Sequence, residues 1–209
     1  TIVESFNSPK IKYIRNVPPL GLVGKCNDFV NHGRGEWLLY LCDDDLIAPT
    51  YIESITRQIK AAPDAVLIRS RQNIIDSSGT VLRLDQPSAL RSTPFEFLAQ
   101  LYRPDLKNFR VNLSAVAFRK AHLKEVGGMK NFASLWHIDR LTWAKIGSLG
   151  TVICEPEPLV SIRLHTGSIT SSVDGDFEDG IAIVVANRAE VLKILARLRT
   201  EAQTPEDHA

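Results

Sequence analysis

Apolar residues along this chain follow two alternating periods, and the changes between them predict its elements. Residues 37–42 (Trp-Leu-Leu-Tyr-Leu-Cys) are an unbroken apolar run. Its length and the preceding Gly33 and Gly35 predict a strand buried on both faces of a sheet. In residues 49–61, Tyr51, Ile52, Ile55 and Ile59 recur at helical spacing, with Pro49 suited to the first turn. Upstream, residues 1–6 read as the tail of a helix, 11–14 as a short strand, 16–24 as a loop and 25–32 as a short helix with Cys26, Phe29 and Val30 on one face. Downstream, residues 65–68 read as a strand and 69–73 as a polar segment. Asp76-Ser77-Ser78-Gly79 is a hairpin turn between Ile74-Ile75 and Val81-Leu82. A cap candidate followed by Pro94 starts a helix over 92–102. Residues 109–118 alternate like a strand, and 119–126 form a short helix broken by Gly127-Gly128. Residues 135–146 are amphipathic and end at Gly147, followed by strands over 150–154 and 159–164. Residues 165–176 are a polar loop able to fold over a ligand. A long helix spans 177–199, and 201–209 is a flexible tail. Strands alternating with helices predict an α/β domain with a mostly parallel sheet flanked by helices, then a less regular second half.

Composition narrows the function more than the fold. The 209 residues suit one domain with a tail. The hydrophobic fraction of 44% and charged fraction of 23% suit a soluble globule. Net charge is +1 with both signs interspersed, so no basic stripe marks nucleic acid as a partner. Cys26, Cys42 and Cys154 form no Cys-x-x-Cys pair, which predicts reduced thiols and a cytoplasmic setting. No stretch is long and apolar enough to cross a bilayer, and no signal peptide is visible. The start at Thr1, without Met, is what a fragment would give.

Candidate chemistry concentrates where the first apolar strand ends. Asp43, Asp44 and Asp45 follow Cys42 without a break. Three adjacent carboxylates repel one another and cannot be buried bare. A bound cation at the carboxyl end of a strand resolves the conflict, and ligands of open α/β sheets sit at that edge. Hard oxygen donors suit Mg²⁺ or Mn²⁺, which bridge phosphate oxygens. The alternative is a solvated acidic turn leading into the next helix.

Other residues join this triplet in an ordered set. Gly21-x-x-x-Lys25-x-Asn27 and Gly35-Glu36-Trp37 precede the triplet. Phe118-Arg119, Leu123-x-x-Val126-Gly127-Gly128, Asp139 and Ile162-Arg163-x-His165-x-Gly167-Ser168-Ile169-Thr170 follow it. The set, covering roughly residues 10–172, resembles the family 2 glycosyltransferases of the GT-A fold. The resemblance implies a GT-A-like, Rossmann-related domain over residues 1–176 with a C-terminal acceptor-side region. The helix over 177–200 would then pack on the domain or on a partner. Two departures stand out. The opening strand and loop that hold the nucleotide base have no counterpart before Thr1. Cys42 stands where many members carry the first acid of an Asp-x-Asp-Asp run.

The resemblance implies a donor that is a nucleotide-diphosphate sugar and a cation, Mg²⁺ or Mn²⁺, held by Asp44 and Asp45 with His165. Asp43, Lys25, Asn27 and Arg163 would face the nucleotide sugar. Asp139 would be the general base for an acceptor hydroxyl, in an inverting displacement. Trp136 and His137 would stand on the acceptor side, the acceptor being a glycan or a lipid-linked glycan of polysaccharide or surface-glycan assembly. Each assignment has a plainer counterpart. Asp139 can be an acid at a helix N-terminus, Lys25 a surface charge, Asn27 a structural hydrogen-bonder, Trp136 a core residue and His165 a solvated loop residue. The long helix is a candidate for pairing two protomers, and a lipid-linked acceptor would bring the chain to a membrane surface.

Rival motifs fail. Gly24-Lys25 is no P-loop, since Pro19 and Cys26 occupy required positions, and no zinc spacing or nucleophile elbow is present. Two other classes stay open: a nucleotidyltransferase on a related fold, and a non-catalytic fragment or interaction module docking through its long helix.

Overall fold

The computed structural model describes residues 2–102, 111–131, 138–167 and 177–203, with side chains over 185–202 in the last stretch. The elements run α1 (Ile2–Ser5), α2 (Leu22–His32), β1 (Trp37–Leu39), β2 (Leu46–Ile47), α3 (Tyr51–Ala61), β3 (Ala65–Ile75), β4 (Val81–Leu84), β5 (Arg91–Ser92) and α4 (Pro94–Tyr102). A 3-10 turn (Leu113–Ala115) leads into β6 (Val116–Arg119), followed by α5 (Lys120–Glu125), α6 (Ile138–Gly147), β7 (Thr151–Arg163) and α7 (Phe177–Gln203). Four of these match their expected local chemistry closely. Thr93 and Glu96 form a reciprocal capping box at the start of α4, and Asp76 accepts from the Ser78 and Thr80 amides in the β3–β4 turn, with Gly79 at φ +93°. Gly127 and Gly128, both at positive φ, end α5 with bonds back to Lys124 and Leu123. Tyr51 and Ile55 bury the inner face of α3.

The sheet runs β1-β6-β3-β7-β2, with β4 also on β3 and β5 also on β7. It is mixed rather than mostly parallel. Among the described residues only β3 and β7 pair in parallel, and the remaining ladders are antiparallel. These two long strands form a spine, and each changes its outer partner midway. The first half of β3 pairs with β6 and the second with β4, while β7 passes from β5 to β2. Two expected strands, over 150–154 and 159–164, are therefore one strand bent at Pro156 and Pro158. Prolines cannot donate to a ladder, and the β3–β7 register shifts there. Ser70 repairs the gap: its hydroxyl accepts the Leu159 amide at 3.2 Å and donates to the Arg71 carbonyl at 2.7 Å.

Side chains of β1, β6 and the start of β7 alternate between two cores. Leu38, Val116, Phe118 and Val152 pack with α2, α4 and α6, whereas Trp37, Leu39, Ala117 and Ile153 face the side of Tyr51 and Ile55. The first strand is thus covered on both faces, as its apolar run requires. It pairs over three residues only, because β6 ends and the 3-10 turn begins opposite residues 40–42. Tyr40 nevertheless stays buried, its hydroxyl donating to the Cys26 carbonyl at 2.8 Å and its ring stacked near Phe118 and Trp143.

Four further expectations fail. Residues 11–14 form no strand, and Ile11, Tyr13 and Ile14 remain exposed. Ile52 is exposed rather than facing the core with Tyr51. The alternation over 109–118 is strand only from Val116 among the described residues. The polar segment after Ile68 is strand, because its polar side chains find partners inside. Arg69 and Asp85, each with a side chain 1% exposed, form an ion pair, and Gln72 donates to Asn112 at 2.9 Å. Polar letters broke the apolar run in the sequence without breaking the strand. Helix α7 packs on α4 and α6 through Val191 and Leu198 and leaves Val185 and Leu192 exposed. Among the described residues no helix is long and apolar enough to cross a membrane.

Removing one member of the Arg69–Asp85 pair leaves the other charge buried. Asp85→Ala should destabilise the domain by about 3–5 kcal/mol, measured by urea unfolding; a loss under about 1 kcal/mol, the scale of a solvent-screened pair, would show that water reaches Arg69.

Candidate active site

The acidic triplet occupies the tight turn between β1 and β2, closed by the Asp45 amide on the Cys42 carbonyl at 3.4 Å. Its three carboxylates have different environments. Asp43 is exposed, while Asp44 and Asp45 are partly buried. Asp45 is fixed at both oxygens. Ser114 donates its hydroxyl to Oδ2 at 2.6 Å, and the Arg163 amide donates to Oδ1 at 3.0 Å. Burial raises the Asp45 pKa above the usual carboxylate value, and the Ser114 and Arg163 hydrogen bonds oppose that rise.

Asp44 meets His165, with Oδ2 at 3.0 Å from Nε2. Their side chains are 31% and 32% exposed. Solvent therefore screens the pair to roughly 1 kcal/mol or less, enough to orient both groups. The ring's other nitrogen, Nδ1, accepts the Gly167 amide at 3.2 Å. That acceptor role puts the proton of the neutral ring on Nε2, so His165 donates to Asp44. Ligation of a metal through Nε2 would place the ring proton on Nδ1 and give up the Gly167 contact.

Arg163 is also engaged by the chain itself. Its Nε donates to the Asp44 carbonyl at 3.0 Å, and Nη1 donates to the carbonyls of Asp76 and Ser77 at 3.0 and 3.1 Å. It ties the β3–β4 turn to the acidic turn, which the sequence did not foretell. Residues 163–165 reach this point because β7 ends beside β2, with Leu46 opposite Ser161.

One ligand atom from each of Cys42, Asp44 and Asp45 lies within 4.8 Å of the others. Hard divalent cations take carboxylates plus water and substrate phosphates. Asp44 and Asp45 fit such an ion. Burial pushes the Cys42 thiol pKa up, which keeps that soft donor protonated.

The remaining candidates divide. Asp139 lies in the first turn of α6, partly buried, with its Oδ1 accepting the Arg140 amide at 2.7 Å. Burial raises its pKa, and Arg140 partly opposes that. Lys25 is exposed on α2. Asn27 is engaged at both ends of its amide, donating to the Met129 carbonyl at 2.9 Å and accepting the Met129 amide at 2.8 Å. This pair of hydrogen bonds ties α2 to the loop after Gly128. Trp136 and His137 lie outside the described residues. Ser114 was missed as a site residue: in the alternating stretch 109–118 it reads like Arg110 and Asn112 as one more polar position, with no sign of a partner more than sixty residues away.

The tautomer of His165 is measurable. Nitrogen NMR of the neutral imidazole should find the proton on Nε2; a proton on Nδ1 would break the assigned Gly167 contact and return Nε2 to metal ligation.

Comparison with known proteins bears on the fold and the family. No curated protein sequence matches the chain. Among solved structures, S. aureus TarS 1-349 in complex with UDP-GlcNAc is similar, with a TM-score of 0.60 and 16% identity over 79% of this chain and 45% of that one. A second crystal structure of S. aureus TarS gives a TM-score of 0.50 and 15% identity, over 67% of this chain and 24% of that one. The chain therefore spans less than half the length of these structures, and the likeness shows a shared fold. The family description Glycosyl transferase family 2 matches residues 1–126, more than half of the chain, and the chain belongs to that family.

Proposed function

We propose that this chain carries the catalytic centre of a metal-dependent, inverting glycosyltransferase that moves a sugar from a nucleotide diphosphate to an acceptor hydroxyl. The observation that carries the reading is the acidic turn, in which Asp45 is anchored by Ser114 and Arg163 while Asp44 faces His165. Family membership supports it, as does a fold shared with a protein crystallised with UDP-GlcNAc. A UDP-sugar is accordingly the first donor class to test. Assembly of surface glycan is the setting proposed.

Asp44 and Asp45 would hold Mg²⁺ or Mn²⁺. A cation so held supplies Lewis-acid neutralisation of the diphosphate as charge grows on the leaving group. The chain's own groups supply the rest. Arg163 and Ser114 hold the turn in shape, so the carboxylates need no reorganisation when donor arrives. His165 presents an N–H beside Asp44 and can pass that hydrogen bond to a phosphate oxygen. Asp139 takes the proton of the acceptor hydroxyl as that oxygen attacks the anomeric carbon. The bond to the diphosphate breaks on the opposite face, which inverts the centre. A carboxylate base is most effective when its pKa nears the working pH, and burial moves Asp139 in that direction.

The variants separate these roles. Asp139→Asn should lower kcat by about 10²–10⁴-fold with Mn²⁺ binding intact, whereas Asp44→Ala should lose Mn²⁺ binding and transfer together. If both variants transfer sugar at the wild-type rate, the proposal fails. The pH profile gives an independent check. Asp139 works deprotonated and its pKa is raised, so activity should fall on the acid side at a pH above the ordinary aspartate range. An acid limb at or below that range would exclude Asp139 as the base.

A further inference from the structure

The 3-10 turn before β6 carries Ser114, whose part in the reading above is to help hold the acidic turn in shape. Ser114 is fully buried, at 0% exposure. Its hydroxyl accepts the Cys42 amide at 3.0 Å and donates to Asp45 Oδ2 at 2.6 Å. One oxygen thus bridges the two ends of the acidic turn. The Cys42 amide needs such a partner, because β1 stops pairing at Leu39 and the ladder to β6 cannot satisfy it. By accepting that amide, Ser114 has its single proton directed at Asp45. The bridge therefore sets both the backbone of the turn and the direction of one carboxylate.

We propose that Ser114 is a positioning residue for the cation held by the acidic turn. It acts through Asp45 and touches neither donor nor acceptor. The inference rests on the metal reading of Asp44 and Asp45 given above. Hydrogen-bond partners of ligating carboxylates fix ligand orientation, and their removal lowers metal affinity by about 10–100-fold. An ordinary buried serine would lower stability without touching affinity.

Ser70 supplies the comparison. It is equally buried, its hydroxyl too accepts one backbone amide while its proton faces the carbonyls of Arg71 and Glu157, and it lies at the β7 bend instead of the acidic turn. The experiment titrates Mn²⁺ alone, by calorimetry and without donor, into wild type, Ser114→Ala, Ser114→Cys and Ser70→Ala, with a thermal melt of each. The cysteine variant keeps the connectivity of the serine, leaves no cavity and replaces its strong donor by a weak one, which gives a second test should alanine not fold. Ser114→Ala and Ser114→Cys should bind Mn²⁺ about 10–100-fold more weakly than wild type. Ser70→Ala should melt earlier yet keep wild-type affinity. Wild-type Mn²⁺ affinity in both Ser114 variants would overturn the positioning role and leave the metal reading standing. Absence of Mn²⁺ binding by wild type would overturn the metal reading and this inference together. Equal losses of affinity in Ser70→Ala and the Ser114 variants would reduce Ser114 to a general stability effect.

Discussion

Neighbouring carboxylates at the end of a core strand impose the constraint from which the rest of this molecule follows. Each loses hydration, and each raises the other's cost of ionisation. The chain meets the problem by dividing the labour. Asp43 stays in solvent, Asp45 is held at both oxygens by Ser114 and the Arg163 amide, and Asp44 is left with His165. Only then is a fixed pair of acids available to a cation. Three distant segments must converge for this: the turn between β1 and β2, the 3-10 turn before β6, and the end of β7.

The sheet is built to bring them there. Its parallel spine of β3 and β7 carries two chain ends to the same edge, where Leu164 bonds back to Ile75. The proline bend in β7 would leave that spine short of donors and acceptors, and Ser70 fills the gap. Arg163 then joins the β3–β4 turn to the acidic turn through backbone carbonyls. A carbonyl accepts whatever side chain precedes it, so this strap depends on fold and not on the identity of residues 76 and 77. Buried polar contacts of this kind are directional, and they specify one register where apolar packing alone would tolerate several.

Much of this was legible along the chain, and the failures have physical causes. The apolar run before the triplet, the capped start of α4, the Asp76 turn and the Gly127-Gly128 helix stop are local signals, and each element formed where its signal lies. Residues 69–73 were misread because burial of Arg69, Ser70 and Gln72 depends on partners far away in sequence: Asp85, Leu159 and Asn112. Strand direction was misjudged for the same reason, since alternation of strand and helix does not reveal which strands become neighbours. In the site, the acids were visible as a cluster, whereas Ser114 carried no local mark. Arg163 was placed beside the nucleotide sugar by resemblance alone, and nothing local in the sequence showed that its guanidinium meets the carbonyls of Asp44, Asp76 and Ser77.

The central claim is that the acidic turn and Asp139 face one donor from two sides. A crystal of the chain soaked with Mn²⁺ and UDP tests it most directly, because anomalous scattering locates the ion without assumption. The account predicts an Mn²⁺ peak against Asp44 and Asp45, with UDP phosphates on it and the Asp139 carboxylate across the gap that a sugar would fill. A peak elsewhere, or Asp139 turned away from the bound diphosphate, would contradict it.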